Sequence, residues 1–173
     1  MNDAYVEKLK HKNMIYDALR SIQGTYTPLC LGLIDLILPY YYNGGVLKHF
    51  LLLSWAGWPL SRCIDQINKT LAIKAIQNAF TEMHHLRVLH HDAEPRNILC
   101  DTVNRTFMVT GFGEAELYPR QPLSLISQNV PDRKRKLGQK SETNMFTCEL
   151  KGVLDGLSKM LSPLQDSASR RPC

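Results

Sequence analysis

The densest group of chemically capable side chains in the sequence lies between Leu89 and Leu99, where the chain reads LHHDAEPRNIL. This stretch holds two histidines, two carboxylates, an arginine and an asparagine within eleven residues. Such side chains can bind a metal ion or move a proton. The stretch therefore has three interpretations: a metal site, a catalytic loop, or a polar turn between two apolar elements.

The metal interpretation is disfavoured by the spacing of the donors. His84 and His85 lie close to the stretch, but they are adjacent in a predicted helix and therefore point to different faces. The sequence has no H-E-x-x-H motif, and none of its five cysteines forms a C-x-x-C pair. These histidines are more simply interpreted as surface or partly buried structural groups.

Three segments with apolar residues at helical spacing are predicted to form helices. They are residues 3–22, 70–88 and 144–161. Residues 118–143 contain three prolines and many polar side chains, and we predict a long loop there.

Short apolar runs flanked by turn residues predict strands. These runs are residues 33–38, 50–53, 98–100 and 106–110. The sequence Asn43-Gly44-Gly45 predicts a hairpin between the first two, because Asn-Gly favours tight turns. The last two should form a small hairpin that directly follows the polar stretch.

The composition fits a single globular domain of 173 residues, with 44% hydrophobic and 21% charged residues. No apolar run reaches the length of a membrane span, and no secretory leader is visible, so we expect a cytoplasmic or nuclear protein without a membrane partner. The net charge of +5 includes the basic run at 133–136. Basic residues without interleaved aromatic residues disfavour nucleic acid as a partner and favour a solvated loop.

The order of the elements resembles the protein-kinase fold. A long helix is followed by His90-x-Asp92-x-x-x-x-Asn97, by a hairpin, and then by Gly111-Phe112-Gly113. Protein kinases carry H-R-D-x-x-x-x-N followed by D-F-G about twenty residues later. Together with LLLSWAG and SIQGTYTP, the stretch LHHDAEPRNIL is similar to small kinase-like proteins of filamentous fungi. The resemblance covers about residues 5–117.

The resemblance implies an α+β fold, namely a truncated kinase-like fold in one domain. Residues 1–57 would form a reduced, β-containing N-terminal portion with the hinge. Residues 58–163 would form a mainly helical C-terminal portion, and 164–173 a flexible tail.

The resemblance also implies roles for individual residues, with ATP and Mg²⁺ as cofactors. Asp92 would accept the proton of an incoming hydroxyl, Asn97 would hold the metal, and His90 would support the loop. Glu94 stands at the usual lysine position of that loop. The residues implied to contact the nucleotide are Leu53 as gatekeeper, the hinge residues Ser54, Trp55 and Ala56, and the segment Gly111, Phe112 and Gly113.

Departures from the kinase pattern indicate impaired catalysis. Gly111 replaces the metal-binding aspartate, and no glycine-rich loop or V-A-I-K strand is found. Lys12 falls where the glutamate of the first helix is expected, and Glu94 reverses a charge near the phosphates. Glu114 or Glu116 could supply a substitute carboxylate, although a solvated turn is favoured.

The sequence therefore predicts a pseudokinase that acts by binding a nucleotide or a protein partner whose identity the sequence does not give. The first alternative is a phosphotransferase with Asp92 as base, acting on a protein or a small molecule. The second alternative is a basic nucleic-acid-binding or nuclear protein.

Overall fold

A computed structural model describes the backbone of residues 3–118 and 132–161, and the side chains of residues 5–118 and 144–161. The helices are α1 (Asp3–Ala18), α2 (Lys69–His85) and α3 (Asp132–Leu161). The strands are β1 (Cys30–Tyr42), β2 (Gly45–Leu53), β3 (Trp58–Pro59), β4 (Val88–Leu89), β5 (Ile98–Asp101), β6 (Thr106–Val109) and β7 (Glu116–Leu117). Helices and small antiparallel sheets together make an α+β fold, as predicted.

The predicted hairpin at Asn43-Gly44 is confirmed. Both turn residues have positive φ, 46° and 75°, and Tyr42 pairs with Gly45 across the turn. Both strands are longer than predicted, and their register shifts between Asp35 and Tyr40. Pro39 lies in this irregular part, where its missing N–H interrupts no regular ladder.

Helix α2 passes through the centre of the core. Asn68 caps its first turn, where Oδ1 accepts a hydrogen bond of 3.1 Å from the Leu71 N–H. Ile76, Phe80 and Met83 are fully buried on one face, as the apolar spacing predicted. The helix ends three residues earlier than expected, just before Arg87 adopts a φ of +67°.

Helix α1 ends at Ala18 instead of residue 22, so the predicted end was wrong. Gln23 explains this end, because its Nε2 donates to the Tyr16 carbonyl at 2.7 Å and its Oε1 accepts from the Cys30 N–H at 2.9 Å. One side chain thus satisfies the helix end and ties it to the start of β1. Ile15 and Leu19 are fully buried beneath this junction.

Helix α3 begins at Asp132, so the prediction of a loop was wrong for residues 132–143. Pro131 precedes this segment, and the segment itself lacks proline and contains three lysines and two arginines, which favour helix. The predicted helix at 144–161 is confirmed as the rest of α3. Residues 119–131 of the predicted loop and the predicted tail at 164–173 lie outside the described residues.

The described part of the chain contains no helix that is long and apolar enough to cross a membrane. The basic run at 133–136 lies within α3, and its side chains are outside the described set. The nucleic-acid alternative therefore stays a prediction.

Candidate functional site

The loop at residues 90–97, which we call the Asp92 loop, connects β4 to β5 and is built around a buried imidazole. His90 is fully buried, its Nε2 lies 2.7 Å from the Thr110 carbonyl, and its Nδ1 lies 3.3 Å from the Asp92 N–H. Burial lowers the pKa of His90 below its ordinary value. A neutral ring with the proton on Nε2 satisfies both contacts, which tie the loop to Thr110.

The carboxylate of Asp92 is engaged at both oxygens. Arg96 forms an ion pair with Oδ1, and Asn97 Nδ2 donates to Oδ2 at 2.9 Å. The same Asn97 nitrogen also donates to the Asp92 carbonyl at 2.7 Å. The Asp92 side chain is 30% exposed, so a substrate hydroxyl could approach it only beside these partners.

Gly111 lies directly against the Asn97 side chain. Its φ is +87°, and a Cβ placed there would lie 2.3 Å from Asn97 Oδ1 and 2.5 Å from Asn97 Cγ. Asn97 thus fills the space that an aspartate side chain would need at this position. The absence of the aspartate is therefore built into the packing of the site.

These residues do not fit the magnesium ion that the kinase resemblance implies. Magnesium requires several oxygen ligands in octahedral geometry. Gly111 has no side-chain oxygen, so Asn97 Oδ1 is the one side-chain oxygen left of the two ligand positions that the resemblance implies. Across the described side chains, no three histidine, cysteine or acidic residues cluster as a metal site would require.

Glu149 on α3 anchors the Asp92 loop from the other side, and sequence reasoning missed it. Its Oε1 accepts the backbone N–H groups of His90 and His91, each at 2.8 Å, while its Oε2 lies 2.7 Å from His84 Nε2. Its side chain is only 9% exposed. The sequence could have pointed to Glu149, because it is an acidic residue on the apolar face of a helix, between Phe146 and Val153.

Opposing effects set the charge of Glu149. Burial alone would raise its pKa, but the hydrogen bonds from His84 and from the His91 N–H, with the nearby His84 charge, outweigh burial. The pKa of Glu149 therefore lies below its ordinary value. The ionised carboxylate holds His91 at a φ of +58°, a conformation that few non-glycine residues adopt.

A column of rings joins α1 to the Asp92 loop. Phe112 packs edge-on against Tyr16, with ring centroids 5.0 Å apart, and lies 5.0 Å from the His90 ring on its other side. The Tyr16 hydroxyl lies 3.3 Å from Thr110 Oγ1, and burial raises the pKa of Tyr16 to about 12. Phe112 is therefore a core residue as well as a predicted nucleotide contact.

A cleft of about 300 Å³ opens between α1, β2 and the segment at 110–112, and we call it the α1–β2 cleft. It brings together Leu53, Gly111 and Phe112, three of the predicted nucleotide contacts. Lys12 also lines this cleft and crosses Gly113, where a Cβ would lie 3.3 Å from Lys12 Cε. Four of the predicted nucleotide contacts thus lie in or beside this cleft: Leu53, Gly111, Phe112 and Gly113.

The predicted hinge residues lie outside this cleft. Ser54 is tied to Leu29 through its backbone N–H at 2.8 Å and its Oγ at 2.9 Å. Trp55 is 69% exposed and packs edge-on against Trp58, whereas Ala56 is buried. Their assignment to a nucleotide stays a prediction.

Asp92 and Glu94 line a separate cleft of about 570 Å³ between the Asp92 loop and α3. Glu149, Cys148 and Val153 form its α3 side. Two predicted catalytic residues thus face a different cleft from the one that Leu53, Gly111 and Phe112 line. Asn97 lies between them, bonded to Asp92 and packed on Gly111.

Comparisons with known proteins support the fold. No protein-family model matches the chain. The meiotic driver SPOK2 of Podospora anserina is 30% identical over 132 residues, which cover 75% of this chain and 16% of SPOK2. The crystal structure of an Stt7 homolog from Micromonas algae, soaked with ATP, superimposes with a TM-score of 0.62 at 15% identity, covering 88% of this chain and 58% of that one. The chain spans about a sixth of SPOK2 and somewhat more than half of the Stt7 homolog, and the structural likeness shows a protein-kinase-like fold.

Proposed function

We propose that this chain is a pseudokinase domain that acts by binding and does not transfer phosphate. The observation that carries the proposal is the contact between Asn97 and Gly111. Phosphoryl transfer depends on metal ions and cationic groups that neutralise the developing charge. Here the carboxylate that would hold such a metal is absent, and a neighbouring side chain fills its place.

Nucleotide is the ligand class that fits the α1–β2 cleft best. The cleft combines apolar walls with one lysine, and three predicted nucleotide contacts line it. The crystal of the Stt7 homolog was soaked with ATP, which supports ATP as the first ligand to test. Small-molecule pockets are mostly apolar, with a few placed polar groups.

A protein partner is the second ligand class that a binding function requires. The β1–β2 hairpin exposes large apolar side chains, including Leu31 at 68%, Ile37 at 100% and Tyr41 at 72%. Extended exposed apolar patches commonly mark interaction surfaces. This surface supports binding as the mode of action.

A transfer assay tests the proposal. The purified chain is incubated with γ-labelled ATP, Mg²⁺ or Mn²⁺, generic protein substrates and small alcohols, beside the Asp92→Asn variant. We expect equal background labelling from both proteins. Labelling by the wild type that is lost in Asp92→Asn would overturn the proposal.

The same assay examines the alternative of a phosphotransferase with Asp92 as base. The observation that favours this alternative is that Asp92 remains partly exposed and keeps its hydrogen bond from Asn97. A base must lie within hydrogen-bond reach of the proton that it accepts. Arg96 would have to leave Asp92 Oδ1 before a substrate hydroxyl could bind there.

A further inference from the structure

We infer that the α1–β2 cleft binds the phosphate of a nucleotide through Lys12, and that this binding needs no metal ion. The inference rests on the proposed function, because it names the residue and the charge chemistry of the same nucleotide cleft. It assigns Lys12, a residue of the first helix, as a ligand-binding group.

The position of Lys12 brings its ammonium to the edge of the cleft beside Gly113. Lys12 lies one helical turn before Tyr16 on α1 and is half-buried. A Cβ on Gly113 would lie 3.3 Å from Lys12 Cε and 3.9 Å from Nζ. The lysine therefore extends across the glycine backbone toward the segment that contains Gly111 and Phe112.

The charge of Lys12 is uncompensated within the described part of the molecule. Other cations near it have partners, since Lys10 pairs with Glu7 at 2.9 Å and His49 contacts Asp35 at 2.6 Å. No such pair involves Lys12 among the described side chains, and the cleft-lining residues include no aspartate or glutamate. A half-buried ammonium without a counter-ion favours an anionic ligand.

The other walls of the cleft suit a nucleoside. Leu9, Leu51 and Leu53 provide apolar surface for an aromatic base. A volume of about 300 Å³ is at the lower end of ligand pockets, so the far end of a triphosphate would extend into solvent. The cleft therefore fits a base with a phosphate group held at its cationic end.

The charges that line the cleft also explain why nucleotide binding should need no metal ion. A lysine supplies a fixed positive charge, whereas a bound magnesium ion would need carboxylates that this cleft lacks. A divalent cation placed beside Lys12 would also meet like-charge repulsion. The phosphate is thus neutralised by Lys12 in place of a metal.

Fluorescence anisotropy with a fluorescent ATP analogue tests the inference, with titrations in EDTA and in Mg²⁺. We expect similar affinity in both buffers. Lys12→Met should weaken binding by about 10- to 100-fold through the loss of one charged contact. Lys12→Arg should retain affinity within about threefold, because it keeps the charge. Lys8→Met, an exposed lysine on the same helix, is the matched control and should bind like the wild type.

Competition with unlabelled adenosine separates a ligand contact from a structural role. Lys12→Met should leave the affinity for adenosine unchanged while it weakens that for the phosphorylated ligand. Equal weakening of both ligands, unchanged affinity for the ATP analogue, loss of binding in EDTA, or no binding by the wild type would each overturn the inference. These binding results do not test catalysis. Only Asp92-dependent transfer of phosphate in the transfer assay would overturn the proposed absence of catalysis.

Discussion

The Asp92 loop and the β1–β2 hairpin are held in the fold by very different means. The loop is fixed by polar contacts of His90 and His91 to Glu149 and Thr110, which come from separate parts of the chain. Among the described strands, those of the hairpin pair only with each other, in a two-stranded sheet that leaves Ile37 fully exposed. Isolated hairpins are only marginally stable on their own.

This difference is compatible with the proposed absence of catalysis. His90 and Phe112 are core residues in the ring column, and Asn97 packs against Gly111. The burial of His90 and Phe112 contributes to the core whether or not phosphate is transferred. An intact Asp92 loop is therefore evidence for the fold, whereas the altered neighbours at Gly111 and Lys12 bear on the function.

The largest expected effect comes from removing the anchor of the loop. Glu149→Ala leaves the N–H groups of His90 and His91 without their acceptor, and it leaves His84 without its carboxylate partner. We expect the free energy of unfolding to fall by about 3–5 kcal/mol in urea titrations.

Asp155→Ala is the matched control for Glu149, because it removes an exposed carboxylate from the same helix. It should change stability by less than about 0.5 kcal/mol. Equal stability of the two variants would show that Glu149 does not anchor the loop in solution.

The next effect tests the packing of Gly111. Gly111→Ala should cost about 2–4 kcal/mol, because its Cβ overlaps Asn97 and its φ of +87° is unfavourable for alanine. Gly111→Asp should be destabilised as well, and Mg²⁺ should add nothing to any thermal shift that ATP produces in EDTA. Gly152→Ala on α3, where nothing lies within 4 Å, should instead stabilise by about 0.5–1 kcal/mol. A magnesium-dependent shift in Gly111→Asp would mean that Asn97 can vacate this space.

Protonation of His90 should lower the free energy of unfolding as the pH falls. The pKa of His90 lies below its ordinary value of 6.5 in the folded state, so the unfolded chain takes up its proton first as the pH falls. The contribution of neutral His90 is thus complete above pH 6.5 and declines below it, by at most about 1.4 kcal/mol per pH unit. The lowered pKa of Glu149 adds a second loss of the same sign below its ordinary value of 4.5.

Two variants test whether His90 causes the pH dependence of stability. His90→Gln should flatten the stability curve between pH 7 and 5 in urea titrations, whereas His85→Gln, at an exposed position, should not. A slope that survives in His90→Gln would contradict the assignment.

Local patterns made much of the fold predictable. The apolar spacing of Ile76, Phe80 and Met83 predicted α2, and Asn43-Gly44 predicted the long hairpin. The end of α1 was not predictable, because Gln23 fixes it through contacts to two separate elements. Residues 132–143 were predicted as part of a loop because three prolines precede them, although the segment itself favours helix.

The site was predictable only where its residues are close in sequence. The spacing of His90, Asp92 and Asn97 indicated the loop, but not the hydrogen bond between Asp92 and Asn97. Glu149 was missed because it reaches the loop from 59 residues away in sequence. The contact between Asn97 and Gly111 could not be foreseen either, because it depends on how the β5–β6 hairpin returns the chain.

The smallest expected effect concerns the hairpin itself. Ile37→Lys should change the free energy of unfolding by less than about 0.5 kcal/mol, because Ile37 is fully exposed and loses no packing. Val103→Lys in the β5–β6 turn, 87% exposed, is the matched control near the loop and should behave alike. The urea midpoint of the wild type should also be independent of protein concentration. A destabilisation above about 1 kcal/mol, confined to Ile37→Lys and growing with concentration, would mean that the hairpin is buried between copies of the chain. In that case both regions would be held by burial, the loop within one chain and the hairpin between two.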